Sequence, residues 1–226
     1  MNIPELRSAE DLAKVVEEIG FLPFFRNEIE GFSVEEHTPP ELWFSELEGP
    51  WDWKGPVIQS THCAYGKFYK GKAVYISQRF FPDFANFRRD GYDYDSRIDE
   101  GLVRHRDVPV MQALWKEPSL VSKTLKSRVC FSEESKKSFD STLTYLQMGC
   151  YVNIGDFVYA RDKKGNPYGW GLAVYTTPEA FFGTSFTDMV YRNQPNVSYN
   201  RLFAYFQKLL PHASEKQLAR FLGGDK

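Results

Sequence analysis

The pattern of apolar and polar positions changes its period within residues 108–182. Residues 109–115 and 120–127 carry apolar side chains one helical turn apart and predict two short helices. Ser132 is a residue type that caps helices, and two glutamates follow it, which the helix dipole favours in a first turn. The third helix predicted there has one apolar stripe, formed by Phe139, Leu143 and Leu146. This helix should therefore pack on one side and face solvent on the other.

After Gly149 apolar and polar residues alternate with a period of two, which is typical of strands. Two such segments, residues 151–161 and 170–175, flank a stretch dense in turn formers, with Lys163 and Lys164 in its middle. This pattern predicts a β-hairpin with a basic tip. The order of three helices followed by such a hairpin is that of the winged variant of the helix-turn-helix. In that fold the third helix can enter a major groove of DNA, while the hairpin, called the wing, touches the DNA backbone.

The residues on either side predict further helices and hairpins. Ser8 and Asp11 form a capping box for a first helix that Gly20 ends. Residues 49–56, rich in Gly and Pro, predict a rigid turn that carries two tryptophans. The other predicted elements are a hairpin over 62–77, a helix over 83–89 with phenylalanines on one face, a helix over 198–210 capped by Ser198, and a last helix over 214–222.

These elements predict an α+β protein in three parts. Residues 1–107 form an N-terminal α+β part with an aromatic-rich loop, residues 108–182 a winged-helix module, and residues 183–226 a C-terminal helical hairpin. No internal repeat and no low-complexity linker separates the parts, so we expect one compact body. A chain of 226 residues is long enough to bury a core.

Charge is distributed unevenly, although the net charge is only −2. Residues 1–60 hold 13 acidic and 4 basic side chains (−9), and the remainder holds 17 acidic and 24 basic ones (+7). A basic body behind an acidic front is typical of a protein with one face for phosphates. The alternative is that the acidic residues merely solvate the first helix and its loop. On the phosphate hypothesis, the predicted DNA contacts are Lys136, Lys137, Ser141, Tyr145, Arg161, Lys163 and Lys164.

Composition argues against several classes of protein. Aromatic residues make up 16% of the chain, which is too many for a disordered one. No apolar run approaches the roughly 18 residues of a membrane span, and the N-terminus lacks the pattern of a signal peptide. The three cysteines and four histidines show neither disulfide nor metal spacing. We expect a cytoplasmic protein with DNA as its partner, no membrane contact, no metal and no cofactor.

One segment mixes carboxylates and arginines densely: Arg88, Arg89, Asp90, Asp93, Asp95, Arg97 and Asp99. Two interpretations are open. In the first, the arginines pair with the aspartates and pin a loop to the body, which we favour because structural charge networks are common. In the second, a cleft presents a carboxylate for chemistry or an arginine for phosphate. The candidate catalytic carboxylates are then Asp90, Asp93 and Asp95, and the candidate pocket residues are Trp51, Trp53, Arg88, Arg89 and Arg97. The two tryptophans either stack on a base or close a core.

Four stretches together resemble the AlkZ-related proteins, which are relatives of the winged-helix DNA glycosylases of the AlkZ (YcaQ-like) type. They are residues 19–24 (IGFLPF), 50–56 (PWDWKGP), 81–95 (FPDFANFRRDGYDYD) and 164–171 (KGNPYGWG). The resemblance covers most of residues 10–185, and it is close to the related subgroup but remote from the active glycosylases. It implies the winged-helix architecture and a connection with DNA repair.

The resemblance also implies where catalysis would lie. The active family surrounds DNA with several winged-helix units and carries a Gln-x-Gln or Gln-x-Asp motif just after a first helix. At the matching place, residues 21–24 of this chain read FLPF, with neither a glutamine nor a carboxylate. Gln59 is the nearest substitute, and the sequence shows no second polar partner for it.

Three hypotheses follow. The favoured one is a protein that binds DNA, including distorted or damaged DNA, without enzymatic activity. The second is a glycosylase-like enzyme that acts through the loop over residues 90–99. The third is a protein-contact or small-ligand module that kept the fold. The sequence leaves the oligomeric state open.

Overall fold

An antiparallel sheet forms the centre of the computed structural model, which describes residues 3–44, 48–165 and 167–223. Its described strands are β1 (Phe21–Pro23), β2 (Ala64–Tyr69), β3 (Lys72–Ile76), β4 (Leu120–Val121), β5 (Asn153–Arg161) and β6 (Pro167–Thr176), in the spatial order β1–β3–β2–β5–β6–β4. The two predicted hairpins, β2–β3 and β5–β6, are confirmed. Tyr65 pairs with Ile154 and joins them into one sheet. The predicted α+β class is confirmed.

One face of the sheet is covered by α1 (Ala9–Ile19) and α3 (Pro50–Thr61), which pack on each other. Helix α1 begins and ends as predicted. Ser8 Oγ accepts a hydrogen bond from Asp11 N at 3.2 Å, and Gly20 ends the helix in the left-handed conformation at φ 73°. Between these helices lie the short helix α2 (Val34–His37) and a 3-10 turn over Pro40–Leu42.

Helix α3 replaces the rigid turn predicted over residues 49–56, and that prediction was wrong. Pro50 occupies the first helical position, where its missing N–H is not needed, and Asp52 Oδ2 accepts from Gly49 N at 3.1 Å. Pro56 lies inside the helix, where proline costs roughly 3 kcal/mol relative to alanine. The buried side chains of the helix are Pro50, Trp53, Val57 and Ile58. Burial of these side chains outweighs the preference of a Gly- and Pro-rich stretch for a turn. The sequence pattern reports only that local preference.

The other face of the sheet is covered by α4 (Phe81–Arg89), α11 (Pro195–Leu209) and α12 (Glu215–Gly223). Side chains alternate across a strand. Phe21 therefore points toward these helices, with its ring 4.8 Å from that of Phe206, whereas Tyr65 points away from them and contacts Phe157. The short helices α9 (Pro178–Phe182) and α10 (Thr184–Val190) connect β6 to this layer.

The predicted start of α11 was wrong by three residues. Pro195 begins the helix, because its fixed φ suits the first turn, and Ser198 lies inside it. Ser198 is fully buried, and its hydroxyl donates to Asp83 Oδ1 at 2.7 Å. Ser198, which the sequence pattern assigned to a helix cap, instead joins α11 to α4 through a hydrogen bond.

A second, smaller core lies among α5 (Tyr94–Asp99), α6 (Val108–Lys116), α7 (Ser122–Val129) and α8 (Glu133–Met148). Ser132 caps α8 as predicted, and the predicted stripe on α8 is buried: Phe139, Leu143 and Leu146. Helix α7 starts later than predicted, because Leu120 and Val121 pair with β6 as strand β4. Tyr94 belongs to this core and Phe182 to the main one. The division at residues 107 and 182 stays a prediction.

Candidate nucleic-acid interface

The polar face of α8 is open to solvent. Lys136, Lys137 and Ser141 are exposed, and Tyr145 is 45% exposed. Lys136 Nζ donates to Glu133 Oε1 at 2.7 Å, an exposed contact within the helix that contributes little stability. The guanidinium of Arg104 lies 3.2 Å from the centre of the Tyr145 ring. The face therefore presents cations, hydroxyls and one aromatic ring.

A cluster of lysines at the junction of α7 and α8 adjoins this face. Lys123, Lys126 and Lys136 line a shallow cavity of about 280 Å³ together with Ser127 and Cys130. In this part of the described structure the ion pairs are Arg128–Glu117 and Lys136–Glu133, and neither involves Lys123 or Lys126. Sequence reasoning missed these two lysines. The available signal was their spacing of three on a predicted helix, which puts them on one side of it.

The tip of the β5–β6 hairpin carries the predicted pair of lysines. Lys163 and Lys164 are both exposed, and Asp162 Oδ1 accepts from Lys164 N at 2.8 Å. Gly165 has φ 87°, which a glycine adopts without strain. The side chain of Arg161, which was predicted to reach DNA, lies outside the described residues.

The arginine–aspartate segment does not form the predicted ion pairs. Arg89 is fully buried and donates to Glu179 Oε1 at 2.6 Å, to the Tyr191 hydroxyl at 2.7 Å and to Cys150 O at 2.7 Å. Burial opposes charge on this group, yet Glu179 and Tyr191 raise the pKa of Arg89 above its ordinary value. The prediction was wrong about the partner because Glu179 is far away in sequence.

The aspartates of this segment have other roles or face solvent. Asp93 Oδ1 accepts from Ser96 N at 2.7 Å and so caps α5, which forms where a loop was predicted. Asp90, Asp93, Asp95 and Asp99 are all exposed. The structure therefore brings none of the candidate catalytic carboxylates into a shared cleft.

Four of the five predicted pocket residues lie in two separate places, and the fifth, Arg89, is buried against Glu179. Arg88 and Arg97 line one cavity at the end of α4. Trp51 and Trp53 lie on α3, across the sheet from α4. Trp53 is 2% exposed and closes the core, whereas the ring of Trp51 lies 6.0 Å from that of Trp170, which is 73% exposed.

Gln59 has a polar partner, and that partner lies far from it in the sequence. Its Nε2 donates to Asp156 Oδ1 at 2.9 Å, from the exposed side of α3 to the irregular start of β5. By contrast, residues 21–24 are all buried in the main core. The place where the resemblance predicts the glutamine motif is thus apolar packing, and the pair formed by Gln59 and Asp156 joins α3 to β5 instead.

Lys54 is a second group that sequence reasoning missed. Its Nζ lies 4.3 Å from the centre of the Phe157 ring and 5.1 Å from that of Trp51. Burial lowers the pKa of Lys54 to about 8, and the carboxylate of Asp52 offsets only part of this effect. No local pattern marks such a lysine, since the two rings come from different elements.

No group of three or more His, Cys, Asp and Glu side chains in the part of the chain that the structure describes is placed to hold a metal ion. No helix among the described residues is long and apolar enough to cross a membrane.

Comparison with known proteins identifies the class. Residues 6–223 match the family described as AlkZ related, and the chain belongs to that family. Among solved structures it is similar to the Streptomyces sahachiroi DNA glycosylase AlkZ, with 12% sequence identity and a TM-score of 0.44 over 96% of this chain and 59% of that one. The chain thus spans less than two thirds of the length of that glycosylase. No curated protein gives a significant match.

Proposed function

We propose that the chain binds duplex DNA, including damaged DNA, through a winged-helix unit over residues 108–182. The observation that carries the proposal is the lysine cluster at the α7–α8 junction, beside the exposed face of α8. Lys123 and Lys126 have no carboxylate partner among the described residues, and their positive charges repel one another across the cavity that they share with Lys136. A phosphate backbone relieves that repulsion, and its neutralisation releases counterions.

The order and packing of elements support the winged-helix assignment. Helices α6, α7 and α8 share one core, and strand β4, between α6 and α7, pairs with β6 of the following hairpin. In such a unit α8 enters the major groove and the hairpin tip touches the adjoining backbone. The contacts would come from Lys136, Lys137, Ser141 and Tyr145 on α8, from Lys123 and Lys126 on α7, from Lys163 and Lys164 at the tip, and from Arg161 beside it.

Membership of a family named for its relation to AlkZ supports a role in DNA repair. The buried, apolar residues 21–24 support binding without base excision, because they offer no group to activate water or to stabilise a sugar cation. Damage recognition by such a protein would depend on the reduced cost of distorting a damaged duplex.

The test is a fluorescence anisotropy titration of a labelled duplex, the same duplex with an abasic site, and a single strand, at several salt concentrations. Changing both Lys123 and Lys126 to Ala should flatten the slope of log K against log salt by about 1.8, since each phosphate contact contributes about 0.9. The matched control changes the exposed Lys208 and Lys216 to Ala, and it should keep the wild-type slope. Failure of the wild-type protein to bind any of the three, or equal slopes in both double variants, would refute the proposal.

A further inference from the structure

A cavity of about 200 Å³ lies between the end of α4, helix α5 and the C-terminal half of α8. Its polar lining consists of Arg88, Tyr94, Arg97, Asp107, Tyr145 and Tyr151, and Leu102, Val103 and Met148 supply apolar surface. The cavity is separate from the lysine cluster, which lies at the other end of α8. Its volume equals roughly six or seven water molecules at about 30 Å³ each, which is the size of a small organic molecule.

Among the described residues, Arg88 is a cation without an anionic partner at this cavity. Its Nη2 donates to Phe68 O and Phe221 O, each at 3.1 Å, and its guanidinium lies 4.8 Å from the centre of the Phe84 ring. No carboxylate of the described chain is within ion-pair distance of it, and its buried Nε has no hydrogen-bond partner there. Burial lowers the pKa of Arg88, which reflects the cost of holding this charge away from water.

Tyr94 contributes a second unsatisfied group. The residue is 6% exposed, it lines the cavity, and its hydroxyl has no hydrogen-bond partner among the described residues. A buried hydroxyl without a partner loses its hydrogen bonds to water and gains none in return, so a fold normally satisfies it. Two residues that line this cavity therefore each carry a donor, the Arg88 Nε and the Tyr94 hydroxyl, that has no acceptor among the described residues.

The charges around the cavity do not cancel. Asp107 is buried, but Arg104 neutralises it through two contacts, at 2.8 Å to Oδ2 and 2.7 Å to Oδ1. Arg97 donates to Leu102 O at 3.3 Å and takes part in no ion pair within the described ranges. With the Arg104–Asp107 pair counted as neutral, Arg88 and Arg97 leave two uncompensated positive charges among the described residues around the cavity.

We propose that this cavity binds a small organic oxyanion, a carboxylate or a phosphate ester, whose oxygens accept from Arg88, Arg97 and the Tyr94 hydroxyl. Planar guanidinium groups match the geometry of both oxyanions, and hydrogen bonds to charged acceptors are the stronger kind. The rest of the ligand is small and apolar or aromatic, because it lies against Met148, Tyr145 and Tyr151.

The test is calorimetric titration of the whole protein with acetate, benzoate, inorganic phosphate and phenyl phosphate, with sodium chloride at equal ionic strength as reference. Benzoate or phenyl phosphate should bind at one site and more tightly than acetate or inorganic phosphate. Tyr94→Phe and Arg97→Gln should each weaken that binding about 10-fold to 100-fold, as expected for the loss of one charge-assisted hydrogen bond. Arg192→Gln removes an exposed arginine elsewhere and should leave the affinity unchanged.

Arg88→Met provides a second readout, the melting temperature. Without anion, the melting temperature of this variant serves as its own reference, because the change removes a buried charge together with its hydrogen bonds to Phe68 O and Phe221 O. Added benzoate or phenyl phosphate should raise the melting temperature of the wild type but not of this variant. The proposal fails if no oxyanion binds better than chloride, or if the three cavity variants bind as the wild type does. It also fails if duplex DNA displaces the anion, which would assign the oxyanion to the DNA backbone.

Discussion

Arg89 and Glu179 are separated by 90 residues in sequence and joined by a hydrogen bond of 2.6 Å between Nη1 and Oε1. The contact ties the end of α4 to α9, so it holds the β5–β6 hairpin and its following helices against the layer that contains α4. The arginine is fully buried, while the side chain of Glu179 is 39% exposed. Arg89 also donates to the Tyr191 hydroxyl and to a backbone carbonyl, while its buried Nε has no hydrogen-bond partner among the described residues. The charge therefore depends on Glu179 for its neutralisation.

Glu179→Gln should destabilise the fold, since it leaves a buried guanidinium without a counter-charge. Loss of one partner of a buried pair costs about 3 to 5 kcal/mol, and the partial exposure of Glu179 should bring the effect below that range. Urea unfolding at neutral pH measures it. Asp93→Asn is the control and should be nearly neutral, because asparagine caps helices as well as aspartate does. If Asp93→Asn lowered the free energy of unfolding more than Glu179→Gln does, the result would support the arginine–aspartate ion pairs that the sequence predicted.

The hairpin tip should contribute to the salt dependence of DNA binding. Changing Lys163 and Lys164 together to Ala should flatten the slope of log K against log salt by roughly 1 to 2 units. Both side chains are exposed, so the free energy of unfolding should not change. Anisotropy titrations over a range of salt give the slope, and an unchanged slope would remove the tip from the interface.

We expect no release of alkylated purines from duplex DNA. The core packing of residues 21–24 leaves no polar group at the place of the glutamine motif. An assay of 7-methylguanine release from methylated duplex measures this directly. Turnover that is lost in Gln59→Ala and Asp156→Asn would instead make that pair catalytic. Turnover that survives those changes but is lost in Asp93→Asn or Asp95→Asn would support the loop over residues 90–99.

Lys54 should make stability depend on pH in the alkaline range. Its pKa is about 8 in the folded protein, against 10.5 for an ordinary lysine. Between these values the unfolded chain holds the proton and the folded chain does not, so the contribution of Lys54 to stability rises with pH. Below pH 8 the folded state bears the full cost of the buried charge. Lys54→Met should therefore be more stable than the wild type at pH 7, and the difference should shrink toward pH 10. A difference that is the same at both pH values would contradict the burial of this charge.

Gly20 and Gly31 form a matched pair for testing packing at the end of α1. Both have positive φ, 73° and 71°, so alanine at either position carries the strain of the left-handed region, about 1 to 2 kcal/mol. A Cβ at Gly20 would also collide with the Phe80 ring, whereas nothing lies within 4 Å of one at Gly31. Gly20→Ala should thus lose clearly more stability than Gly31→Ala in thermal unfolding. Equal losses would mean that Phe80 moves aside freely.

Local signals in the sequence determined the elements whose causes are themselves local. Ser8 and Gly20 delimit α1, Ser132 starts α8, and the alternating segments after Gly149 form the β5–β6 hairpin. These are hydrogen bonds and backbone preferences within a few residues, so a single sequence contains them. The family also follows from the sequence, because short motifs such as residues 81–95 are continuous in the chain.

Tertiary structure alone decided the features that depend on distant residues. Packing against the core made a helix of residues 50–61 despite Pro56, and β6 drew Leu120 and Val121 into a strand. Glu179 rather than a nearby aspartate neutralises Arg89, and Asp156 rather than a neighbour bonds to Gln59. The cavity around Arg88 and Tyr94 likewise joins three helices. In each case burial and charge compensation depend on which side chains meet in space, and the spacing of residues along one chain does not contain that information.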